Sequence, residues 1–194
     1  MSNKPKTNQP EIINEVQGRD LFQTPNYAVD LLVSFIPKNI HKIWECSAGE
    51  GKIINRLQKY GYYIFASDIR IVNGNQPINF LLEDTLMFNE PTAIITNPPF
   101  SLKYRFIDKA IKHDIPFAFL IPFDMCQKMA KLFSEYDCQG LVPTRRIDYI
   151  TPSGKSGATG HSSYYHSFWL TRYFNLPQQL EFVEIDIADK KYNI

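Results

Sequence analysis

Apolar and polar positions follow two different periods along this chain, and the period switches at regular intervals. Residues 1 to about 18 show neither: they are rich in Asn, Gln, Pro and Lys and read as a mobile arm, with order beginning near Leu21. After FQTP (22–25), Ala28, Leu31, Leu32 and Phe35 recur at helical spacing, and Pro37 ends that helix. KIWEC (42–46) and YYIFASD (62–68) have the texture of strands. Between them GKIINRLQKYG (51–61) reads as a helix with Ile53, Ile54 and Leu57 on its inner face and Gly61 as its stop. That is a βαβ unit. INFLL (78–82), AIIT (93–96) and FAFLIP (117–122) read as further buried strands, while LKYRFIDKAIKH (102–113) places Phe106, Ile107, Ala110 and Ile111 on one helical face. Another helix is expected over FDMCQKMAKLFSEY (123–136). Strand-like RRIDYI (145–150), the loop TPSGKSGATGHSS (151–163) and aromatic YYHSFWLTRYF (164–174) then read as an antiparallel hairpin. The C-terminal 180–194 reads either as an edge strand or as an acidic tail. Strands alternating with helices predict a mostly parallel sheet in an α/β fold.

Composition narrows the class. With 194 residues, 44% of them hydrophobic and 21% charged, the chain suits one globular domain. The divisions expected are an arm over 1–18, a main domain over 19–175 and a tail or edge strand over 176–194. The formal net charge of +1 denies it the strongly basic field of a dedicated nucleic-acid coat, so any such contact must be local. The charge is uneven: residues 101–172 hold ten Lys or Arg against six Asp or Glu, and 173–194 hold two against four. No window approaches 18 consecutive apolar residues and the start is polar, so the expectation is a cytoplasmic protein without membrane contact. Cys46, Cys126 and Cys138 lack metal-type spacing and read as reduced packing residues; no metal is expected.

Two short motifs carry chemistry. ECSAGEGK (45–52) lies where a strand turns into a helix, and Gly49 and Gly51 let the backbone turn tightly and a ligand come close. About 20 residues on, Asp68 ends the next strand, where a carboxylate can accept from ribose hydroxyls. A third glycine is absent, and Glu45 and Glu50 flank the turn, an arrangement that repels a pyrophosphate and suits a cationic ligand such as a sulfonium. ITNPPF (95–100) follows the AIIT strand. Its two prolines fix φ and remove two N–H donors, Asn97 adds an acceptor and Phe100 a flat apolar face, a combination that holds a planar group bearing NH₂.

FQTP, ECSAGEG, Asp68 and NPPF, in this order and across roughly residues 20–172, resemble the S-adenosylmethionine-dependent amino-methyltransferases, and among them the small adenine-specific DNA methyltransferases of phage and bacterial type. The resemblance implies a Rossmann-like methyltransferase fold, a mostly parallel seven-stranded sheet with an antiparallel final hairpin. It implies that Phe22, Thr24 and Pro25 pack on the cofactor's methionine moiety, that Glu45, Ala48, Gly49 and Gly51 surround its amino acid and sulfonium, and that Asp68 and Ile69 meet its ribose and adenine. Members usually carry an Asp after the third strand for the adenine amino group. The equivalent here is either Asn79, followed by Phe80, or Asp84.

The same resemblance assigns catalysis to Asn97, Pro98, Pro99 and Phe100. Asn97 Oδ1 and the Pro98 carbonyl would accept from the target amino group, freeing its lone pair for attack on the sulfonium methyl, while Phe100 stacks on a flipped base. The reaction expected is methylation of adenine N6 in DNA; RNA adenine, a protein glutamine amide and a non-catalytic nucleic-acid-binding subunit are the alternatives. The loop 151–163 reads either as a flap over the target or as a hairpin tip. Arg145, Arg146, Lys155 and His161 are its candidate substrate contacts, His161 and His166 being open to a structural role as well. Tyr164, Tyr165, Phe168 and Trp169 are expected to pack the last strand. No insertion is long enough for a separate recognition domain, which predicts short-sequence specificity, a homodimer or a separate specificity partner.

Overall fold

A computed structural model describes residues 22–70, 76–82, 92–150, 165–186, 188 and 190. The arm 1–18, Leu21, Asp84, the loop 151–163 with Lys155 and His161, and Tyr164 lie outside the described residues.

The helices are α1 (Asn26–Val33), α2 (Lys52–Lys59), α3 (Lys103–Lys112) and α4 (Gln127–Glu135). The strands are β1 (Lys42–Glu45), β2 (Tyr63–Asp68), β3 (Gln76–Pro77), β4 (Ala93–Thr96), β5 (Phe117–Pro122), β6 (Cys138–Pro143), β7 (Ser167–Arg172) and β8 (Leu180–Val183). They form one sheet in the order β3-β2-β1-β4-β5-β7-β6-β8. Neighbours from β3 to β5 pair in parallel, β7 runs antiparallel between β5 and β6, and β8 lies parallel to β6 at the edge. The expected mostly parallel α/β sheet with an antiparallel pair, β6–β7, is therefore present; it has eight strands where seven were expected, because β8 adds the C-terminal segment as a parallel edge strand.

Alternation along the central strands sorts side chains to two cores. Ile43, Ile95, Leu120 and Trp169 join Tyr27, Val29 and Leu32 of α1 and Ile53 and Leu57 of α2 on one face. Trp44, Ile94, Phe119 and Phe168 join Phe106 and Ile107 of α3 and Leu132 of α4 on the other. Every residue of β4 and β5 is buried, which is why both read as unbroken apolar runs.

Three elements differ from the sequence expectation. INFLL is not a strand: the pairing lies at Gln76–Pro77, and Asn79 folds the next residues into a turn, its Oδ1 accepting from Leu81 N–H at 3.0 Å and its carbonyl from Leu82 N–H at 3.0 Å. The strand expected at RRIDYI is Cys138–Pro143 instead, because β6 takes the place beside β7; 145–150 leaves the sheet and touches Gln23 through an antiparallel bridge at Ile150. The helix expected from 123 begins at Gln127, since Phe123 N–H is drawn to His166 O at 2.6 Å and Cys126 N–H to Asp124 O at 3.0 Å.

From β1 the chain builds outward through β2 to β3, then returns to lay β4 on the opposite side of β1. The order reverses between β1 and β4, so a crevice opens at the carboxyl ends of those two strands. ECSAGEG leaves the end of β1 and NPPF leaves the end of β4.

Candidate functional site

A cleft of about 780 Å³, counted to its open mouth, occupies this crevice. Its wall receives residues from five segments: the strap 22–24, the glycine turn, the end of β2, the turn after β3, and the NPPF segment with the start of α3.

The glycine turn is held from below. Glu45 is buried at the end of β1, and its Oε1 accepts from Ser47 N–H at 3.0 Å and from the Thr96 hydroxyl. Burial pushes its carboxyl up to about 8, and the nearby Asp68 charge adds to the rise, so it is protonated at neutral pH. Gly49 and Gly51 have φ of 49° and 81°, conformations that side chains resist. Ala48 N–H donates to Ser67 O at 3.0 Å and Gly49 N–H to Asp68 Oδ2 at 3.0 Å, folding the turn over the end of β2. From above, Gln23 Oε1 accepts from Glu50 N–H at 3.1 Å. A Cβ at Gly49 would sit 3.0 Å from the Gln23 carboxamide.

Of the residues expected to bind a cofactor, Phe22, Thr24, Ala48, Gly49, Asp68, Ile69, Asn79 and Phe80 line the cleft. Three others lie outside its wall, each for a physical reason. Glu45 is sealed beneath the turn, Gly51 caps α2, and Pro25 caps α1. The expected pair of carboxylates facing a cation is therefore absent: Glu45 is neutral and hidden, Glu50 is outside the wall, and the wall's charged groups are Lys52, Asp68 and Arg70. Asp68 Oδ1 accepts from Arg70 N–H at 2.9 Å. Arg70 Nε lies 3.4 Å from the same oxygen, so acceptor capacity remains at Oδ2, which holds Gly49 N–H alone.

Asn97 and Pro99 also line the cleft. Asn97 Oδ1 is buried without a hydrogen-bond partner, and so is Asn79 Nδ2. Such atoms cost about 1–3 kcal/mol each; of the six among the described residues, these two belong to residues of the cavity wall, and Glu45 Oε2, Tyr149 OH, Ser167 Oγ and Arg172 Nη1 do not. Pro98 is buried, and Phe100 stands outside the wall, its half-buried ring edge-on to Tyr149 with centroids 5.9 Å apart.

The other candidates do not converge on the cleft. Arg145 and Arg146 are exposed on the segment after β6. His166 Nε2 donates to Pro143 O at 2.6 Å and braces the strands, the structural role. Phe168 and Trp169 are fully buried, whereas Tyr165 is 51% exposed. Cys138 is a packing residue; Cys46 is buried but also lines the cleft, its thiol held well above the ordinary range by burial. Cys126 is not a packing residue: it is exposed before α4, with Sγ 2.9 Å from Tyr104 OH.

Gln23, Ser47, Lys52, Arg70, Ile78, Leu81 and Leu102 line the cleft without having been singled out, and Cys46, Ile53 and Phe106 do so although read only as packing residues. Gln23 and Lys52 sit within or directly beside motifs already recognised, so position was the available signal. Among the described residues no helix is long and apolar enough to cross a membrane. Comparison with known proteins finds no matching family model and no matching curated protein.

Proposed function

We propose that this chain transfers a methyl group from S-adenosylmethionine to the exocyclic N6 amino group of adenine in DNA. The observation that carries the reading is Asn97: a buried amide oxygen with no partner, in the wall of a cleft built on a glycine turn, followed by two prolines that offer no N–H.

The residues present fit the cofactor. Gly49 brings bare backbone to the cleft wall, Asp68 Oδ2 keeps a lone pair for a ribose hydroxyl, and Ile69, Ile78 and Phe80 offer apolar surface to a purine. Lys52 suits a carboxylate, while Arg70 Nε already lies 3.4 Å from Asp68 Oδ1. When bound, S-adenosylmethionine supplies an electrophilic methyl group on a sulfonium.

The protein's part is to prepare the acceptor. An aromatic amino group is a weak nucleophile because its lone pair is delocalised into the ring. Asn97 Oδ1 accepts one of its hydrogens and the Pro98 carbonyl the other, which favours a pyramidal nitrogen and aims the lone pair. Phe100, steadied edge-on by Tyr149, gives the flipped base a face to stack on. No tuned base is required, because the nitrogen's extra proton becomes acidic once the N–C bond has formed and is lost to water. Cys46 in the wall stays a thiol.

Incubation with labelled S-adenosylmethionine and DNA, RNA and protein in parallel, followed by digestion, tests this. Label in N6-methyladenine from DNA is the expected result. Label confined to RNA or to protein glutamine would replace the substrate, and cofactor binding without any transfer would favour a non-catalytic subunit.

A further inference from the structure

We infer that Asn79 makes the purine end of the cleft a hydrogen-bond donor, so that the site accepts a 6-oxopurine nucleoside about as well as a 6-aminopurine one. This rests on the S-adenosyl reading of the cleft and adds its base selectivity.

The orientation of the Asn79 carboxamide follows from its neighbours. Leu81 N–H lies 3.0 Å from one end, and an N–H can only donate, so that end is the oxygen. Nδ2 is the end left over, buried and without a partner, on a residue that lines the cleft. The neighbouring backbone acceptor is also taken: Phe80 O receives Lys109 Nζ at 2.5 Å. Ile69, Ile78 and Leu81 line the same cleft and give it apolar surface beside Asn79.

A 6-aminopurine offers such a donor N1 or N7. A 6-oxopurine offers O6 or N7. Both satisfy Nδ2, and neither is selected by it. A carboxylate in the same place would reverse this, accepting from a 6-amino group and repelling O6. Selectivity against a group missing its partner comes from the polar atom left unpaired, and Asn79 leaves none unpaired with either base.

The test is calorimetric titration of the full chain with S-adenosylhomocysteine and S-inosylhomocysteine, for the wild type and Asn79→Asp. Aspartate keeps the oxygen that accepts Leu81 N–H, so the turn is retained, and thermal unfolding of the two proteins checks this. The wild type should bind the two compounds with Kd values within about threefold of each other, and Asn79→Asp should favour the adenosyl compound by at least about tenfold. A wild-type preference above about tenfold, or an unchanged ratio in the variant, overturns the inference while leaving the S-adenosyl reading intact. Binding of neither compound defeats that reading and the inference with it.

Discussion

Asn97 and Asp68 face one cleft, but the bonds each already makes separate their roles. Asp68 Oδ2 receives Gly49 N–H, so truncation removes a ligand acceptor and also frees the glycine turn. Asn97 Oδ1 receives nothing, so truncation leaves the architecture alone. Asn97→Ala should lower kcat by at least about a hundredfold with cofactor Kd changed by less than about threefold, and Asp68→Ala should raise Kd by about tenfold or more. Calorimetry beside transfer kinetics separates the two; equal loss of cofactor binding in both would contradict the division. Gly49→Ala places a Cβ against Gln23 at a φ of 49° and should destabilise the fold by roughly 1–3 kcal/mol, read as a lowered Tm. At this scale the placement of Asn97, Pro99 and the glycine turn at the cleft was legible because it follows from residue type at strand ends. The polarity at Asn79 was not, since which end of a carboxamide is free depends on Leu81 N–H. Nor was the neutrality of Glu45, which comes from tertiary burial.

Glu45 joins two elements, binding the turn after β1 through Ser47 and the end of β4 through Thr96. Its protonation links that junction to pH. Unfolded, the carboxyl titrates at its ordinary value of 4.5; folded, it retains its proton to about 8. Between those values the folded chain binds a proton that the unfolded chain has released, so stability falls as pH rises through this window and levels off above it. Across pH 5 to 8 the loss should reach a few kcal/mol, at up to about 1.4 kcal/mol per pH unit. Urea unfolding of wild type and Glu45→Gln checks this: the difference between them should shift in the variant's favour as pH rises, and a constant difference would contradict it. Element legibility followed burial. AIIT and FAFLIP, covered on both faces, were found with their boundaries. Strand β6, written CQGLVP, was not, because Gly140 is required there by close packing rather than propensity: a Cβ would lie 2.9 Å from Leu180 and 3.0 Å from Phe168. RRIDYI misled because Ile147 and Tyr149 alternate inward, as in a strand, while the backbone crosses toward the strap.

Over the whole molecule, sheet order and motif placement converge. The strand order reverses between β1 and β4, and the two chemistry-bearing motifs leave those strands at the carboxyl edge. Trp169 fixes α1, the helix that follows the strap, its Nε1–H donating to Ala28 O at 2.8 Å, while the strap itself is tied by the Gln23–Ile150 bridge. Trp169→Ala should cost about 3–5 kcal/mol of stability, measured by denaturant unfolding; a change below about 1 kcal/mol would mean that this core does not bear on the fold as described. The central claim is that an orphaned acceptor at Asn97 prepares an adenine amino group for methylation. Its most direct test is mass-spectrometric measurement of N6-methyladenine in unmethylated DNA incubated with S-adenosylmethionine and either the wild type or Asn97→Ala. N6-methyladenine should accumulate with the wild type and be absent with a variant that still binds the cofactor; equal accumulation with both, or none with a cofactor-bound wild type, would overturn this role for Asn97.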